Sequence, residues 1–452
     1  MYFKSFFDKP LAQMAYLVGC QQTGEAIIID PLRELDEYIK AAEDEGLRIT
    51  HAAETHIHAD FASGLRDVHR KLGAKLYVSD LGGDDWKYQN MPDDTVYLTE
   101  GDTIEVGNVT LDVIFTPGHT PESISFLLTD KGGGSSVPMG IFTGDFLFVG
   151  DVGRPDLLEE AAKMEGTTDS GAKDMFKSVQ KSKDLPDYLQ IWPGHGAGSA
   201  CGKSLGAVPV STLGYEKKNN WAYQIEDEQA FKKELTTDQP EPPTYFSHMK
   251  KINKENIPLA KDTRVYPIAS SQLTDLVIDL RPKEVFQSAH VKGTINIPMT
   301  DTFSSYVGWF VNYEEDLTFI GSKEDADEAA KQLQQIGYDR VKGYLPAEEI
   351  EDTVSSLTIE TDEFIEIYKK KSPDILDVRS KSEWDEGHLD NTEQVLFGKL
   401  LEEDIPFDAE EPLFVHCETG VRSGIALGAL EKRGFKHVIN IKDGYEALRG
   451  RI

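Results

Sequence analysis

Hydrophobic residues in the first part of the chain follow two different spacings. Residues 25–30 are an apolar run that Pro31 closes, which is typical of a buried strand. Apolar residues then recur at helical spacing over 35–42, and Gly46 follows at the point where a helix would end. This alternation of strand and helix spacing predicts an α/β fold for roughly the first 240 residues.

More strands are predicted farther along the same region. We expect them over 110–115, 123–128 and 139–148, with a Gly/Ser-rich hairpin loop over 131–136. Residues 238–257 then include the polar, proline-rich segment 239–243, which is typical of linkers and exposed connections. We therefore predict a first domain over 1–243 and a linker over 244–261.

The last part of the chain contains an internal repeat. The sequence Asp-Leu-Arg begins at Asp279, and His290 follows eleven residues later. The sequence Asp-Val-Arg begins at Asp377, and His388 follows at the same spacing. Two copies of one α/β domain, each with a mostly parallel sheet, explain the repeat, and we assign them to residues 262–357 and 358–452.

Length, charge and cysteine content restrict the function. A chain of 452 residues is expected to hold about three domains. With 47 basic and 79 acidic residues the net charge is −32, so we expect neither nucleic acid nor a membrane surface as a partner. We find no apolar run long enough to span a bilayer and no signal peptide, and the three scattered cysteines predict free thiols in a reducing cytoplasm.

Candidate metal ligands occur in four turns that follow strand-like runs. They are His56, His58, Asp60, His119, Asp145 and His195. The first turn reads Thr-His-Ile-His-Ala-Asp-Phe from Thr55, so Phe61 stands where a two-metal hydrolase would have another histidine. An aromatic ring cannot replace that histidine as a ligand, so the comparison with such hydrolases shifts the expected chemistry towards a single metal ion.

These motifs, together with the segment Gly-Asp-Phe-Leu-Phe-Val-Gly-Asp-Val-Gly-Arg-Pro-Asp from Gly144, resemble the metallo-β-lactamase superfamily and, within it, the persulfide dioxygenases. The resemblance implies an αββα sandwich and one Fe(II) per chain, bound by His56, His119 and Asp145. It also implies that a further group of residues orients the metal ligands or contacts the substrate. These residues are His58, Asp60, Arg154, His195 and Cys201. For Arg154 we weigh a substrate anion against a salt bridge within the domain, and for Cys201 we weigh sulfur relay against a buried structural thiol.

A zinc-dependent thioester hydrolase of the glyoxalase II type is the competing interpretation. It needs a second metal held by Asp60, residue 61, Asp145 and His195, and Phe61 removes one of those ligands. Because Asp60 and His195 remain, the sequence leaves a second metal open.

Cys417 is the candidate nucleophile of the last copy. It follows an apolar strand and precedes a helical run, so we expect backbone N–H groups and a helix N-terminus to stabilise its thiolate. Four residues separate it from Arg422, which we expect to supply charge and donors for an anion. The remaining loop residues are Glu418, Thr419, Gly420, Val421 and Ser423.

This loop resembles that of the rhodanese sulfurtransferases, which implies that Cys417 carries a sulfane sulfur. The middle copy has no cysteine, and residues 321–327 are acidic where the loop should be. We therefore interpret the middle copy as a pseudo-rhodanese. The predicted architecture is an N-terminal metallo-β-lactamase sandwich followed by two rhodanese-like α/β domains.

The whole chain resembles persulfide dioxygenase–sulfurtransferase fusions of the kind used in hydrogen sulfide detoxification. The resemblance implies oxidation of low-molecular-weight thiol persulfides by O2 to sulfite, and transfer of a sulfane sulfur from Cys417 to sulfite to give thiosulfate. It also implies a homo-oligomer. A third interpretation, a sulfur carrier or persulfide sensor that uses Cys417 and Cys201, leaves the metal motifs unexplained.

Overall fold

The computed structural model describes residues 1–157, 159, 166–203 and 205–452. The chain divides into two compact units, residues 1–261 with 335–337 and residues 262–334 with 338–452. Among the described residues, no helix is long and apolar enough to cross a membrane.

Two six-stranded sheets form the first unit. One sheet runs in sequence order through β1 (Tyr2–Asp8), β2 (Gln13–Cys20), β3 (Glu25–Ile29), β4 (Arg48–Ala53), β5 (Lys75–Ser79) and β6 (Val96–Leu98). The other runs in the same way through β7 (Thr103–Val106), β8 (Val109–Phe115), β9 (Ile124–Asp130), β10 (Gly140–Gly144), β11 (Gln190–Pro193) and β12 (Ser211–Thr212). Its helices are α1 (Asp36–Asp44), α2 (Leu65–Leu72), α3 (Thr167–Ser182), α4 (Leu213–Asn219), α5 (Trp221–Gln224), α6 (Glu228–Thr236) and α7 (Phe246–Glu255).

The side chains of β2 show how these layers pack. Every residue of β2 is buried, and successive side chains point to opposite faces of the sheet. Met14 and Tyr16 join a core that includes Phe126 and Phe142 of the other sheet. Ala15 and Leu17 join the core beneath α1 and α2 on the opposite face. A third core packs α3 on the second sheet, so the order of layers is helix, sheet, sheet, helix.

The strand predicted over 139–148 is shorter in the structure. It ends at Gly144, whose φ of +50° is a conformation that favours glycine. The Phe146 N–H then donates to the Thr143 carbonyl at 3.0 Å, which turns the chain directly after the strand. The apolar run over 139–148 therefore covers a strand and a buried turn, which hydrophobicity alone does not separate.

The segment predicted as a linker, 244–261, contains α7 and belongs to the first unit. Met249 and Asn253 are buried on this helix. Asn253 accepts a hydrogen bond from Ser63 N at 2.9 Å and donates to the carbonyls of His58 and Phe61 at 2.9 and 2.7 Å. Its amide thus closes the loop that follows β4, a long-range contact that the local composition of the segment does not reveal.

Two parallel sheets form the second unit. The four-stranded sheet has the order β15 (Ile295–Asn296), β13 (Leu276–Asp279), β16 (Leu317–Gly321), β17 (Val341–Pro346). The five-stranded sheet has the order β19 (Leu357–Ile359), β23 (His437–Ile441), β22 (Pro412–His416), β20 (Asp374–Asp377), β21 (Thr392–Gln394). A short antiparallel pair joins β14 (His290–Val291) to β18 (Thr353–Val354). The helices are α8 (Lys283–Ser288), α9 (Phe303–Val307), α10 (Lys323–Gln335), α11 (Thr361–Lys370), α12 (Lys381–Glu386), α13 (Val421–Lys432) and α14 (Gly444–Leu448).

The two sheets share one topology, as the repeat predicts. In each, the strand that ends with the aspartate of the Asp-x-Arg motif, β13 or β20, lies between a short strand and the strand that precedes the loop. Both copies nevertheless fall within one compact unit. The boundary between residues 357 and 358 therefore stays a prediction.

Replacement of Asn253 tests the role of α7. The Asn253→Ala variant should lower the free energy of unfolding by about 2 to 3 kcal/mol, because three buried backbone groups lose their partner. Calorimetry of the transition that includes the first unit measures this change. Lys251→Ala, on an exposed position of the same helix, is the matched control and should have little effect. Equal stability of the two variants would contradict the role assigned to Asn253.

Candidate active sites

Three predicted ligands converge at the ends of strands in the first unit. The ligand atoms of His56, His119 and Asp145 all lie within 4.8 Å of one another, and all three residues are buried. The Asp145 Oδ2 lies 3.5 Å from His119 Nε2 and 3.8 Å from His56 Nε2. Both the Asp145 Oδ2 and the His56 Nε2 are buried without a hydrogen-bond partner among the described residues. Unpartnered donor atoms that face one another in this way fit a metal ion, which would satisfy them together.

The second nitrogen of each histidine is already engaged. The His119 Nδ1 donates to the Arg154 carbonyl at 2.8 Å, and the His56 Nδ1 donates to Thr55 Oγ1 at 3.0 Å. These contacts leave each Nε2 with its lone pair toward the site. Burial lowers the pKa of both histidines, which favours the neutral imidazole that binds metals.

Asp30 organises this arrangement, although the sequence analysis does not identify it as a site residue. Its carboxylate accepts hydrogen bonds from Thr55 N at 2.8 Å, Thr55 Oγ1 at 2.9 Å and His58 Nε2 at 3.2 Å. Burial opposes the charge of His58, but Asp30 raises the pKa of His58 to about 9. His58 is thus held by Asp30 and does not join the triad. Asp30 lies at the end of the first predicted strand and has a φ of +50°. Its place at the end of a strand is the feature of the sequence that could have identified it as a site residue.

His195 lies between two carboxylates. Its Nδ1 donates to Asp145 Oδ1 at 2.8 Å, and its Nε2 lies 2.6 Å from Asp60 Oδ2. Burial alone would lower the pKa of His195, but Asp145 and Asp60 raise it well above its ordinary value. The two carboxylates thus favour the charged form of His195 over the neutral imidazole that would bind a metal.

A second candidate metal set shares this histidine. The ligand atoms of Asp60, His195 and Cys201 also lie within 4.8 Å of one another. Burial, followed by the charges of Asp60 and Asp145, raises the pKa of the Cys201 thiol well above its ordinary value. This shift favours the protonated thiol of Cys201. Phe61, which is fully buried with its ring 4.3 Å from that of His58, occupies the position where the hydrolase interpretation needs a ligand.

Arg154 forms the salt bridge that the sequence analysis weighs against substrate binding. Its Nε and one terminal nitrogen contact Asp156 at 2.8 and 2.5 Å, and the other terminal nitrogen donates to the carbonyls of Pro240 and Ala200. Its observed contact with the site is its own carbonyl, which holds His119. The guanidinium is thus engaged within the first unit.

Cys417 lies between β22 and α13, as the sequence predicts, and is buried. The Gly420 N–H donates to Cys417 Sγ at 3.1 Å, and Ser423 Oγ lies 3.6 Å from the same sulfur. Gly420 has a φ of +90°, so glycine is required for the turn that aims this N–H at the sulfur. The structure provides one backbone donor to the sulfur in place of the predicted ring of them.

The cations of the loop are paired with carboxylates. Both terminal nitrogens of Arg422 contact Glu383 at 2.6 Å, and despite burial this pairing raises the pKa of Arg422 and lowers the pKa of Glu383 to about 2. Arg379 binds Asp377 through two nitrogens and Glu418 through a third at 2.9 Å. The free anion-binding arginine expected at 422 is therefore neutralised by a residue that the sequence analysis misses, Glu383.

Comparisons with known proteins agree with this architecture. The metallo-beta-lactamase superfamily model matches residues 8–195, and the rhodanese-like domain model matches residues 360–450. A solved metallo-beta-lactamase structure from Staphylococcus aureus subsp. aureus COL is 55% identical, with a TM-score of 0.72 over 76% of this chain and 99% of that one. The chain belongs to the metallo-β-lactamase superfamily. Of the predicted sandwich and two rhodanese-like domains, the sandwich and the C-terminal rhodanese-like domain are confirmed, while the rhodanese-like character of the middle copy stays a prediction.

Curated relatives of the chain include enzymes of both kinds that the sequence analysis weighs. The mitochondrial persulfide dioxygenase ETHE1 of Bos taurus is 29% identical over 42% of this chain and 67% of its own length. A hydroxyacylglutathione hydrolase from a Synechococcus strain is 32% identical over 40% of this chain and 62% of its own length. The comparisons thus include both activities that the sequence analysis weighs.

Replacement of Phe61 tests why a second metal would be excluded. The Phe61→His variant should bind zinc at the second set about tenfold more tightly, because it restores a ligand beside Asp60 and His195. Zinc titration followed by elemental analysis measures both affinity and stoichiometry. Phe61→Leu, which keeps an apolar side chain without a ligand, is the matched control. Unchanged zinc binding in the histidine variant would show that Phe61 does not control metal number.

Proposed function

We propose that the first unit is a non-haem Fe(II) persulfide dioxygenase. In the overall reaction R–S–SH, O2 and water give R–SH, sulfite and two protons. The observation that carries the proposal is the triad of two neutral histidines and one carboxylate with unpartnered atoms that face a common point. The iron ion would supply the activation of O2 when bound by His56, His119 and Asp145.

The chain's own residues would set up this chemistry. Thr55 and the Arg154 carbonyl fix the histidine rings, and His195 holds one oxygen of Asp145 so that the other stays directed at the metal. Burial of the triad excludes bulk water from the reacting groups. The protonated thiol of Cys201 would lie beside the substrate sulfur. We propose that Cys201 relays sulfur there.

We further propose that the last copy is a sulfurtransferase that uses the sulfite. The Cys417 thiolate would attack the outer sulfur of a second persulfide R–S–SH, whose S–S bond breaks to release R–S⁻, and Cys417 would then carry that sulfur as Cys–S–SH. The lone pair of the sulfite sulfur would then attack that outer sulfur, the S–S bond would break, and its electron pair would return to Cys417. Gly420 N–H supports this step because it stabilises the sulfur as an anion. Thiosulfate is the product, and we place the reaction in the cytoplasm in line with three free cysteines.

A zinc thioester hydrolase remains the second candidate. The set Asp60, His195 and Cys201 favours it, since a second metal there would give a binuclear site. The hydroxyacylglutathione hydrolase among the relatives also supports it. Against it stand Phe61 in a ligand position and His195 as a bridge between two carboxylates.

Metal content decides between the two candidates. Protein purified without oxygen should contain one iron per chain and should consume O2 in proportion to added glutathione persulfide. His119→Ala should lose at least about tenfold in iron affinity and most of the O2 uptake, whereas His437→Ala, on an exposed position of the other unit, should lose neither. Two zinc ions with thioester hydrolysis and no O2 uptake would establish the hydrolase.

Replacement of Cys417 tests whether persulfide oxidation and sulfur transfer take place at separate sites. Cys417→Ser should abolish thiosulfate formation but leave O2 uptake and sulfite release largely unchanged, because the serine cannot carry a sulfane sulfur. Oxygen electrode measurements and chromatography of sulfite and thiosulfate follow both steps. The Cys20→Ser variant is the control, since Cys20 lies in the first unit and takes no part in either proposed site. Equal loss of sulfite and thiosulfate in Cys417→Ser would refute the two-step scheme.

A further inference from the structure

The inactive middle copy provides a lysine to the cysteine loop of the last copy. Lys283 is the first residue of α8, and its Nζ donates to the Gly420 carbonyl at 2.7 Å. Gly420 is the residue whose N–H contacts Cys417 Sγ. The stem of Lys283 passes along the start of α13, because a Cβ at Gly424 would lie 3.3 Å from Lys283 Cε. An ammonium group from one copy is therefore fixed on the loop of the other.

Lys283 differs from the other cations around this loop. Arg422 is paired with Glu383, and Arg379 is paired with Asp377 and Glu418. Lys283 donates instead to a neutral carbonyl, and among the described residues no carboxylate lies within ion-pair distance of it. The positive charge of Lys283 is thus not offset by a direct acidic partner.

A second segment of the middle copy closes the same region. Tyr306 of α9 packs edge-on against Phe397 with 5.4 Å between ring centroids, and Trp309 packs on the same ring at 5.7 Å. Burial raises the pKa of Tyr306, Arg422 opposes that effect, and Cys417 adds to it. The tyrosine hydroxyl is therefore within electrostatic reach of both the arginine and the reactive sulfur. The middle copy thus contributes a lysine contact to Gly420 of the loop and aromatic contacts to Phe397 of the last copy.

An anionic substrate that approaches Cys417 needs a positive charge that is not already paired with a carboxylate. The chain carries a net charge of −32, so its average field repels sulfite. Glu383, Asp377 and Glu418 cancel the two arginines at the loop. An unpaired positive charge attracts an anion, and the attraction is stronger where the site is partly shielded from water.

We propose that Lys283 of the inactive copy binds the anionic acceptor, sulfite, beside Cys417, an inference that rests on the proposed function. The ammonium would hold a sulfite oxygen while the sulfite lone pair attacks the outer sulfur of Cys417–S–SH. It keeps its proton throughout, and the electron pair of the broken S–S bond returns to Cys417. The middle copy, which lacks a cysteine of its own, thereby acts as part of the sulfur-transfer site.

Single-turnover kinetics of the full chain test this assignment. Cys417 is first loaded with sulfur from glutathione persulfide, the loading is checked by mass spectrometry, and sulfite is then added. Lys283→Gln keeps a hydrogen-bond donor for Gly420 but removes the charge, so the second-order rate constant with sulfite should fall about tenfold. Lys283→Arg should stay within about threefold of the wild type because it keeps the charge.

An uncharged acceptor separates binding of the anion from loop structure. With dithiothreitol, which releases sulfide from the loaded cysteine, Lys283→Gln should react about as fast as the wild type. Lys432→Gln removes a lysine that contacts Asp275 instead of the loop, and it should resemble the wild type with both acceptors. Higher salt should slow the sulfite reaction of the wild type more than that of Lys283→Gln.

Two results would overturn the inference. An unchanged sulfite rate in Lys283→Gln, or an equal loss with sulfite and dithiothreitol, would reduce Lys283 to a structural contact of the loop. Failure of the loaded wild type to form thiosulfate from sulfite would instead refute the proposed sulfurtransferase function, and the inference would fall with it. The wild-type measurement thus distinguishes the two failures.

Discussion

The carboxylate of Asp145 is the group on which the first site depends. One oxygen accepts a hydrogen bond from His195, and the other faces the two histidines without a partner. Because a buried carboxylate is costly unless its charge is compensated, the protonated His195 and a bound metal would share this task. His195 in turn depends on Asp60. Asp145, His195, Asp60, His56 and His119 are thus electrostatically coupled, so we expect a change at one of them to affect the others.

The middle copy keeps the architecture of the last copy although it has no cysteine. Its parallel sheet and its Asp-x-Arg motif are retained, and Arg281 binds Asp279 as Arg379 binds Asp377. The middle copy also lies close to α13, because a Cβ placed at Gly428 would be 1.9 Å from the Thr294 carbonyl oxygen. The helix that carries the cysteine loop therefore packs closely against the middle copy. This packing constrains the loop whether or not the middle copy ever touches substrate.

The sequence allows prediction of the features that depend on local order along the chain. The layered fold and the position of Cys417 between strand and helix follow from patterns along the chain, and the convergence of His56, His119 and Asp145 follows from the family resemblance. The contacts that were missed are long-range pairings of charged or amide groups. Glu383 neutralises Arg422 across 39 residues, and Asn253 of the supposed linker reaches back 195 residues to the His58 carbonyl. No periodicity or local composition encodes which distant partner a buried polar group selects.

Phe61 illustrates that loss of a metal ligand is also a change in packing. Its ring is fully buried and contacts that of His58, while the Phe61 carbonyl accepts a hydrogen bond from Asn253. A histidine at this position would bring ring nitrogens into an apolar contact, which costs free energy unless a metal or a hydrogen bond satisfies them. Metal binding at the second set would then be coupled to stability. The aromatic side chain removes that requirement, so the fold no longer depends on a second ion.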